Sequence, residues 1–212
     1  MKSELSVDFN NSFASLPKDF YVKMRPEIMP DLKLIKFNDS LGDRLGLPCK
    51  KLQEQNGIDF LGGKNILTNQ DPLAQVYAGH QFGNFVPQLG DGRAILLGEV
   101  IDSNGNRNDI QLKGSGKTPF SRMGDGRSGL GPVLREYIVS EAMFNFGIPT
   151  TRALAALYTG EKIVREMPVP GAILTRVAKS HIRIGTFEFF ARQGKTDKVK
   201  ELADYVINRH YP

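Results

Sequence analysis

Residues 89–113 read LGDGRAILLGEVIDSNGNRNDIQLK and carry the clearest structural signals in the chain. A glycine turn, LGDGR, precedes an apolar run, and the polar segment DSNGNRN separates that run from the returning DIQLK. Asparagine followed by glycine between such runs is a strong hairpin signal, because the turn needs positive φ angles that these two residues tolerate. The sequence therefore predicts two antiparallel strands that reverse at Asn104 and Gly105.

The returning strand should place its side chains on alternate faces. Ile110 and Leu112 share one face, and Gln111 and Lys113 share the other, because successive strand residues point to opposite sides of a sheet. We therefore expect the Lys113 ammonium to leave the packed side and to point toward the glycine turn.

A glycine-rich loop leads from this strand into a predicted helix. Pro132 suits the first helical turn, and Gly147 with Pro149 marks the end of the helix. Apolar residues recur at a spacing of four, at Leu134, Ile138 and Ala142. Glu136 falls in the second turn, where its carboxylate could reach Lys113.

A lysine and a glutamate beside a glycine-rich hairpin form the arrangement with which protein kinases hold nucleotide phosphates. A surface salt bridge explains these two residues equally well, since such pairs are common and weak. Two glycine motifs are set aside. Residues 116–118 resemble the end of a Walker A loop, but that pattern requires a glycine where Gln111 stands. Residues 124–129 fit a dinucleotide-binding pattern, yet no clear strand precedes them.

The composition allows a globular protein with an anionic partner. The chain has 212 residues, of which 40% are hydrophobic and 24% charged, and a net charge of +5. A nucleotide or a nucleic acid would suit that charge. The single cysteine, Cys49, is expected to be an inert thiol in a reducing compartment. No stretch is apolar enough for a membrane span, and the N-terminus is too weakly apolar for a targeting peptide. We therefore predict a cytoplasmic location and no membrane partner.

Three segments are predicted along the chain, in an α+β fold. Residues 1–60 are punctuated by prolines and lack a hydrophobic period, so they should form an irregular arm with one or two short helices. Residues 61–185 should form the nucleotide-binding lobe, with an antiparallel sheet and one main helix. Residues 186–212 should begin a helical lobe.

Further elements are expected after the central helix. Residues 150–158 and 162–165 are predicted to form a second hairpin across the turn TGE, followed by a final strand at 171–177. A helix with a threonine cap is expected over 186–193. A second helix follows, with apolar residues at Val199, Leu202, Ala203 and Val206.

Three further side chains are candidates for function. His80 lies in residues 73–85, which should form a packed loop near the hairpin, and we interpret it as a hydrogen-bonded structural histidine rather than a catalytic base. Arg176 lies at the end of the final strand and Arg183 lies beyond it, and an arginine at a strand end near a glycine loop can clamp phosphate. Solvated surface arginines are the simpler explanation of these two residues taken alone.

Seven blocks of the sequence closely resemble the selenoprotein O family, also called the YdiU family. These blocks are 77–83 (YAGHQFG), 88–94 (QLGDGRA), 111–122 (QLKGSGKTPFSR), 125–127 (DGR), 134–136 (LRE), 147–154 (GIPTTRAL) and 176–178 (RVA). They are long and specific, and the resemblance covers nearly the whole chain from about residue 15 onward.

The resemblance implies a protein-kinase-like N-lobe with a helix equivalent to the kinase αC helix. It also implies an unusual reaction. Members of the family resemble pseudokinases, bind ATP in a flipped orientation and transfer AMP to Ser, Thr or Tyr hydroxyls of proteins, with pyrophosphate as the leaving group. Such chemistry depends on a divalent metal, Mg or Mn, that neutralises the phosphates.

The resemblance carries nucleotide contacts over to eight residues of this chain: Gly90, Gly92, Arg93, Lys113, Asp125, Gly126, Arg176 and Arg183. Lys113 is the kinase-type lysine and is supported by Glu136, while the last two arginines favour the flipped nucleotide. Glycine N–H groups, one ammonium and several guanidiniums can hold a triphosphate and stabilise the charge that develops on it.

The family's general-base aspartate, its adjoining metal-binding asparagine and a later metal-binding aspartate are expected beyond Pro212. We therefore expect no catalytic base and no metal ligand within this chain. It is interpreted as an N-terminal portion with weak nucleotide affinity and no turnover of its own.

Three other interpretations stay open. A non-catalytic nucleotide-binding or regulatory module is favoured by the missing aspartate and asparagine. A conventional kinase would transfer the γ-phosphoryl group instead. A basic nucleic-acid-binding protein suits the charge, but the sequence has no RNA or DNA motif and no aromatic stacking pattern, so no nucleic-acid partner is predicted.

Overall fold

A computed structural model of the protein describes residues 5–211. Residues 1–4 and 212 lie outside the described part, and they include the start of the N-terminal segment considered above as a targeting peptide. The described chain is α+β, as the sequence predicts, with antiparallel strand pairing throughout its main sheet.

Within residues 5–211, ten strands, numbered in chain order, form one large sheet and one small hairpin. They are β1 Tyr21–Lys23, β2 Lys33–Phe37, β3 Leu73–Gln75, β4 Gly79–Gln81, β5 Asn84–Val86, β6 Ala94–Ile101, β7 Arg107–Lys113, β8 Ser128–Gly129, β9 Arg152–Val164 and β10 Pro168–Ala178. The main sheet has the order β1-β3-β6-β7-β10-β9-β2, and β8 adds to β10. Strands β4 and β5 pair only with each other among the described residues. The predicted hairpin at Asn104 and Gly105 is confirmed as β6–β7.

Six helices of the described chain pack around the sheet. They are α1 Asp39–Arg44, α2 Cys49–Leu52, α3 Gln55–Leu61, α4 Leu130–Asn145, α5 Ile184–Ala191 and α6 Thr196–His210, and two 3₁₀ turns, Phe13–Ser15 and Lys18–Phe20, precede them. Ile110 and Leu112 are fully buried in the core shared with α1–α3, as strand parity predicts. Helix α4 covers the opposite face, where small residues of β9 and β10 let it approach closely.

The buried face of α4 differs from the predicted one. Val133 is buried against Ala153 and Ala156, whereas Ile138 is 65% exposed. The spacing of four is present in the sequence, but only part of that face packs on the sheet: Leu134 is partly buried against this core, whereas Ile138 is exposed. The helix presents its smaller apolar residue to the sheet because alanines, and not larger side chains, line that part of the sheet.

The predicted second hairpin is wrong. Residues 152–164 form the single strand β9, which pairs along its length with β10. Gly160 has a φ angle of +75°, and the register shifts opposite Gly171, so the strand contains a bulge where the TGE turn was expected. The chain reverses later, between β9 and β10, because the turn residues at 159–161 bend the strand without ending it.

The N-terminal residues take part in the sheet. Strands β1 and β2 occupy its two edges, and α1–α3 cover one face. Helix α5 begins at Ile184, two residues before the expected cap, so that Thr186 lies inside its first turn. Leu202 of α6 is fully buried, with Val199 and Val206 beside it, as the helical spacing predicts. The domain boundaries at residues 60 and 185 stay predictions.

Two smaller expectations bear on chemistry. Cys49 is half-buried, and burial together with its hydrogen bond to Asp43 raises the pKa of the thiol to about 11, which keeps it protonated.

Within residues 5–211, no helix combines the length and apolar character needed to cross a bilayer.

Candidate phosphate-binding cleft

A cleft of about 650 Å³ lies where the glycine turn, the end of β7, the loop after β7 and the end of β10 converge. Seven basic and two acidic side chains line it. The basic residues are Arg93, Lys113, Arg122, Arg127, Arg165, Arg176 and Arg183. All eight residues assigned as nucleotide contacts by family resemblance line this same cleft. Their convergence follows from the sheet order, because β6, β7 and β10 are neighbours.

Lys113 and Glu136 meet as strand parity and helix position predict. The Lys113 ammonium donates to Glu136 Oε2, and Arg176 lies 3.4 Å from Glu136 Oε1. Burial lowers the pKa of Lys113, and Glu136 opposes that shift. Burial also disfavours the ionised Glu136, yet Lys113 and Arg176 hold the pKa of that carboxyl below its usual value. One carboxylate thus holds two cations at the back of the cleft.

The glycine turn supplies close packing more than free N–H groups. Gly90 has a φ angle of +57°, and a Cβ there would lie 2.4 Å from the Phe120 ring. The Gly90 N–H donates to Tyr77 O at 2.9 Å, and the Gly92 N–H donates to Gly90 O at 3.0 Å. The expectation that these N–H groups bind phosphate directly does not suit this geometry. A side chain at either position would instead displace Phe120 or its backbone.

Asp125 and Gly126 lie in the second glycine loop, at the cleft margin. The Asp125 carboxylate accepts two hydrogen bonds from Arg165, at 2.7 and 3.1 Å. This pairing with Arg165 lowers the pKa of Asp125. Gly126 has a φ angle of +69°, and a Cβ there would lie 2.1 Å from the Gly116 backbone, so only glycine fits.

Arg176 and Arg183 come from different elements and are both oriented by buried neighbours. Arg176 lies directly opposite Gln111 in the β7–β10 register, and its guanidinium donates to Gln111 Oε1. Arg183 caps α5, and its guanidinium carbon lies 4.3 Å above the centre of the Tyr77 ring. Contacts of this type favour a cation over an aromatic face.

Asp91 lies beneath both arginines and is 1% exposed. Its carboxylate accepts from Gln75 N at 3.0 Å, from the Tyr77 hydroxyl at 3.0 Å and from Gln111 Nε2 at 3.1 Å. Burial raises the pKa of Asp91, although these donors and the two arginines favour its ionised form. Asp91 therefore acts as a buried hydrogen-bond acceptor for residues that surround the cleft.

The described carboxylates do not form a metal site. Among residues 5–211, no group of three or more His, Cys, Asp or Glu side chains comes together to hold a metal ion. Asp91 is enclosed by donors, Asp125 is paired with Arg165, and Glu136 is held between two cations. These residues do not suit Mg or Mn, and no chemical step is assigned to a metal.

The interpretation of His80 is wrong, because it is exposed at the small β4–β5 hairpin, where its ring packs against Phe85 at 5.2 Å. The hairpin tip is also open rather than packed, since Phe82 is 96% exposed. The buried, hydrogen-bonded histidine is His181, whose Nδ1 lies 3.1 Å from Asp109 Oδ2. Sequence position alone gave no signal for this pairing, because Asp109 and His181 are far apart in the chain.

Sequence reasoning also missed residues that line the cleft, among them Tyr77, Asp91, Arg122, Arg127 and Arg165, and it missed Gln111, which is buried beside Arg176. A signal existed for Gln111, which strand parity places on the same face as Lys113. Asp91 stands inside the quoted glycine turn, but the sequence gave no sign that its side chain would be enclosed. Arg165 was assigned to a predicted strand that ends elsewhere, so its approach to Asp125 could not be foreseen.

Known proteins resemble this chain over nearly all of its length. The family model described as "Protein adenylyltransferase SelO" matches residues 3–212. A protein from Rhizobium rhizogenes (strain K84 / ATCC BAA-868), named "Protein nucleotidyltransferase YdiU", is 61% identical over 97% of this chain and 41% of its own length. Its namesake from Rhodopseudomonas palustris (strain BisB18) is 62% identical over 96% of this chain and 42% of its own length.

The chain therefore spans about two fifths of the length of these curated relatives. The family match covers residues 3–212, so the matched region includes the sheet, α4 and every cleft-lining segment described above. By the match over residues 3–212 and by these relatives, the chain belongs to the SelO family.

Proposed function

We propose that this chain binds ATP in the cationic cleft as the nucleotide-binding part of a protein nucleotidyltransferase. The observation that carries the proposal is the convergence of seven basic side chains on one cleft with two acidic ones. A triphosphate carries several negative charges, and planar guanidiniums suit its oxygens. The names of the relatives, which describe nucleotidyl transfer to protein, support this choice of ligand.

The proposed fold is a protein-kinase-like N-lobe. The Lys113–Glu136 contact joins a strand end to the main helix, as the corresponding lysine and glutamate do in kinases. Helix α4 would then be the equivalent of the kinase αC helix. The proposed site differs from that of a kinase, because Arg176 and Arg183 add positive charge where the triphosphate would lie.

The proposed reaction moves AMP from ATP to a Ser, Thr or Tyr hydroxyl of a protein. The hydroxyl oxygen forms a bond to the α-phosphorus, the bond between that phosphorus and the β-bridging oxygen breaks, and pyrophosphate leaves with its charge. The hydroxyl proton passes to a base. Arginines and Lys113 can stabilise the charge on the leaving pyrophosphate. We include Mg or Mn in the proposal as an ion that accompanies the phosphates; residues 5–211 contain no group of three or more His, Cys, Asp or Glu side chains that could hold a metal ion.

A non-catalytic nucleotide-binding module is the second candidate. The carboxylates in or beside the cleft, Asp91, Asp125 and Glu136, are held by hydrogen bonds or ion pairs. None of these three is therefore available to accept a proton from a hydroxyl. The proposal assigns to this chain the binding of the triphosphate, and not the removal of the proton.

Incubation of a full-length family member that carries this chain with ATP labelled at the α- or the γ-phosphate, with Mg or Mn, tests the reaction. Transfer of α-label alone to protein, lost in Lys113→Ala, is expected for a nucleotidyltransferase. Transfer of γ-label would identify a kinase. Retention of both labels on the chain without transfer would leave the binding module as the function, and no retention would overturn the proposal.

A further inference from the structure

We propose that Asp91, Gln111 and Tyr77 are positioning residues, through which one buried carboxylate orients the two arginines that face the triphosphate. The inference rests on the proposed function, since it concerns the same cleft. It adds a layer of residues that is enclosed in the protein and does not itself meet the nucleotide.

The first step is the geometry of Asp91. Three donors from different positions converge on its carboxylate at 3.0–3.1 Å: the Gln75 N–H, the Tyr77 hydroxyl and the Gln111 amide. At 1% exposure it cannot contact a ligand. Two of the three donors are side chains that each make a second contact with an arginine, so Asp91 determines where those side chains lie.

The second step is the direction imposed on Gln111. A carboxamide has a donor side and an acceptor side. Because Nε2 donates to Asp91, Oε1 must face away from it, and it accepts from Arg176. A hydrophobic residue at position 111 would fill the space without providing this acceptor. Gln111 is fully buried, so solvent cannot replace the contact.

The third step is the double role of Tyr77. Its hydroxyl donates to Asp91, and its ring lies under Arg183. The Tyr77 carbonyl also accepts the N–H groups of Leu89 and Gly90, both at 2.9 Å. The orientation of Tyr77 therefore links Asp91 both to the second arginine and to the start of the glycine turn.

The consequence is a site arranged before the ligand arrives. A long arginine side chain loses rotational freedom when it binds a phosphate, and prior orientation removes part of that loss. The contact between Arg176 and Glu136, at 3.4 Å, is long, so Gln111 is the closer acceptor for this guanidinium.

Equilibrium dialysis of the 212-residue chain with labelled ATP tests the inference through a double-mutant cycle. Gln111→Met should weaken ATP binding about tenfold in the wild-type background, as expected for loss of a hydrogen bond to a charged group. In an Arg176→Ala background the same change should have an effect below about twofold, because the residue it positions is gone. Gln75→Met is the matched control, since that buried glutamine contributes only its backbone N–H to Asp91 among the described contacts, and should leave affinity unchanged.

Equal weakening in both backgrounds would mean that Gln111 acts through the general packing of the cleft, and would overturn the inference. Unchanged ATP affinity in Gln111→Met would overturn it too. If Gln111→Met does not fold, Tyr77→Leu and Tyr77→Phe take its place. Tyr77→Leu should then weaken ATP binding more than Tyr77→Phe does. The difference between the two variants should disappear in an Arg183→Ala background. A wild-type chain that does not retain ATP overturns the proposed function itself, a result distinct from all of these.

Discussion

The hairpin β6–β7 supports two clusters of charged side chains that differ in how completely their charges are matched. At the cleft, cations exceed anions, and several arginines reach solvent. Near the other end of the hairpin, Arg209 of α6 is 3% exposed and lies between two buried carboxylates, 2.7 Å from Glu99 and 2.5 Å from Asp109. We call the second group the Arg209 cluster, formed by Glu99, Arg107, Asp109, His181, Tyr205 and Arg209.

The difference shows which cluster maintains the fold and which binds a ligand. Burial opposes the ionised form of Asp109, yet His181 and Arg209 lower its pKa because they contact it directly. Burial raises the pKa of Asp91, whose arginines act from beyond Gln111 and Tyr77. A closed, matched cluster stabilises contact between α6 and the sheet. An unmatched cationic one costs stability and leaves charge for a ligand.

The largest expected effect is on folding. Arg209→Met would leave Glu99 and Asp109 buried without their shared cation, and should lower the free energy of unfolding by about 3–5 kcal/mol. Urea denaturation measures this change. Lys200→Met, on the same helix but 79% exposed, is the control and should cost less than about 0.5 kcal/mol. Similar losses in both variants would contradict the view that the Arg209 cluster holds α6 in place.

A second pair of variants compares the two buried aspartates directly. Asp109→Asn should cost about 3 kcal/mol at neutral pH, because Arg209 then loses a direct ionic partner. Asp91→Asn should cost about 1 kcal/mol, because removal of a poorly matched buried charge offsets part of the lost hydrogen bonding. Thermal and urea unfolding of both proteins give the comparison. A reversed order would mean that Asp91 is the better matched charge.

The next effect is a pH dependence due to His181. Burial lowers the pKa of His181, so the folded chain resists the proton that the unfolded chain takes up. Stability is therefore greatest above the ordinary histidine pKa of about 6.5 and decreases as the pH falls below it. His210, whose pKa is lowered by partial burial, acts in the same direction.

The variant His181→Asn separates these contributions. Its amide can still donate to Asp109 but does not titrate, so the slope of unfolding free energy between pH 7.5 and 5.5 should flatten. The matched change His80→Asn, at an exposed histidine, should leave the slope as it is. An unchanged slope in His181→Asn would refute the assignment.

The smallest effect on folding is expected in the cleft. Lys113→Met should change the free energy of unfolding by less than about 1 kcal/mol, because burial disfavours the ammonium that it removes. Lys117→Met, at an exposed lysine nearby, gives the baseline. A loss as large as that of Arg209→Met would mean that the Lys113 pair is a structural element like the Arg209 cluster.

Local patterns predicted the parts of the fold and site that depend on local rules. Asn104 and Gly105 predicted the hairpin, and strand parity placed Lys113 on the face that meets Glu136. Both follow from backbone geometry over a few residues. The conformation of the TGE segment could not be predicted in this way, because whether a turn sequence bends or reverses a strand depends on the partner strand. Here β10 continues past Gly160, and β9 forms a bulge there and stays paired with β10.

The contacts among the buried residues behind the cleft could not be predicted from local sequence patterns. Asp91 and Gln111 were both visible in the sequence, but their contact depends on the pairing of β6, β7 and β10. The exposed face of α4 shows the same limit, since Ile138 fits a helical period and yet is 65% exposed. The family resemblance identified residues that line the cleft without giving the contacts that orient them.

Calorimetric titration of the chain with ATP, beside Lys113→Met and Arg209→Met, tests whether the cationic cleft holds the triphosphate. We expect one saturable site, whose affinity for ATP is lowered at least tenfold by Lys113→Met. Arg209→Met should leave the affinity per folded molecule almost unchanged at a temperature where that variant remains folded. Absence of saturable binding, or equal affinity for wild type and Lys113→Met, would contradict the claim that the cationic cleft holds the triphosphate.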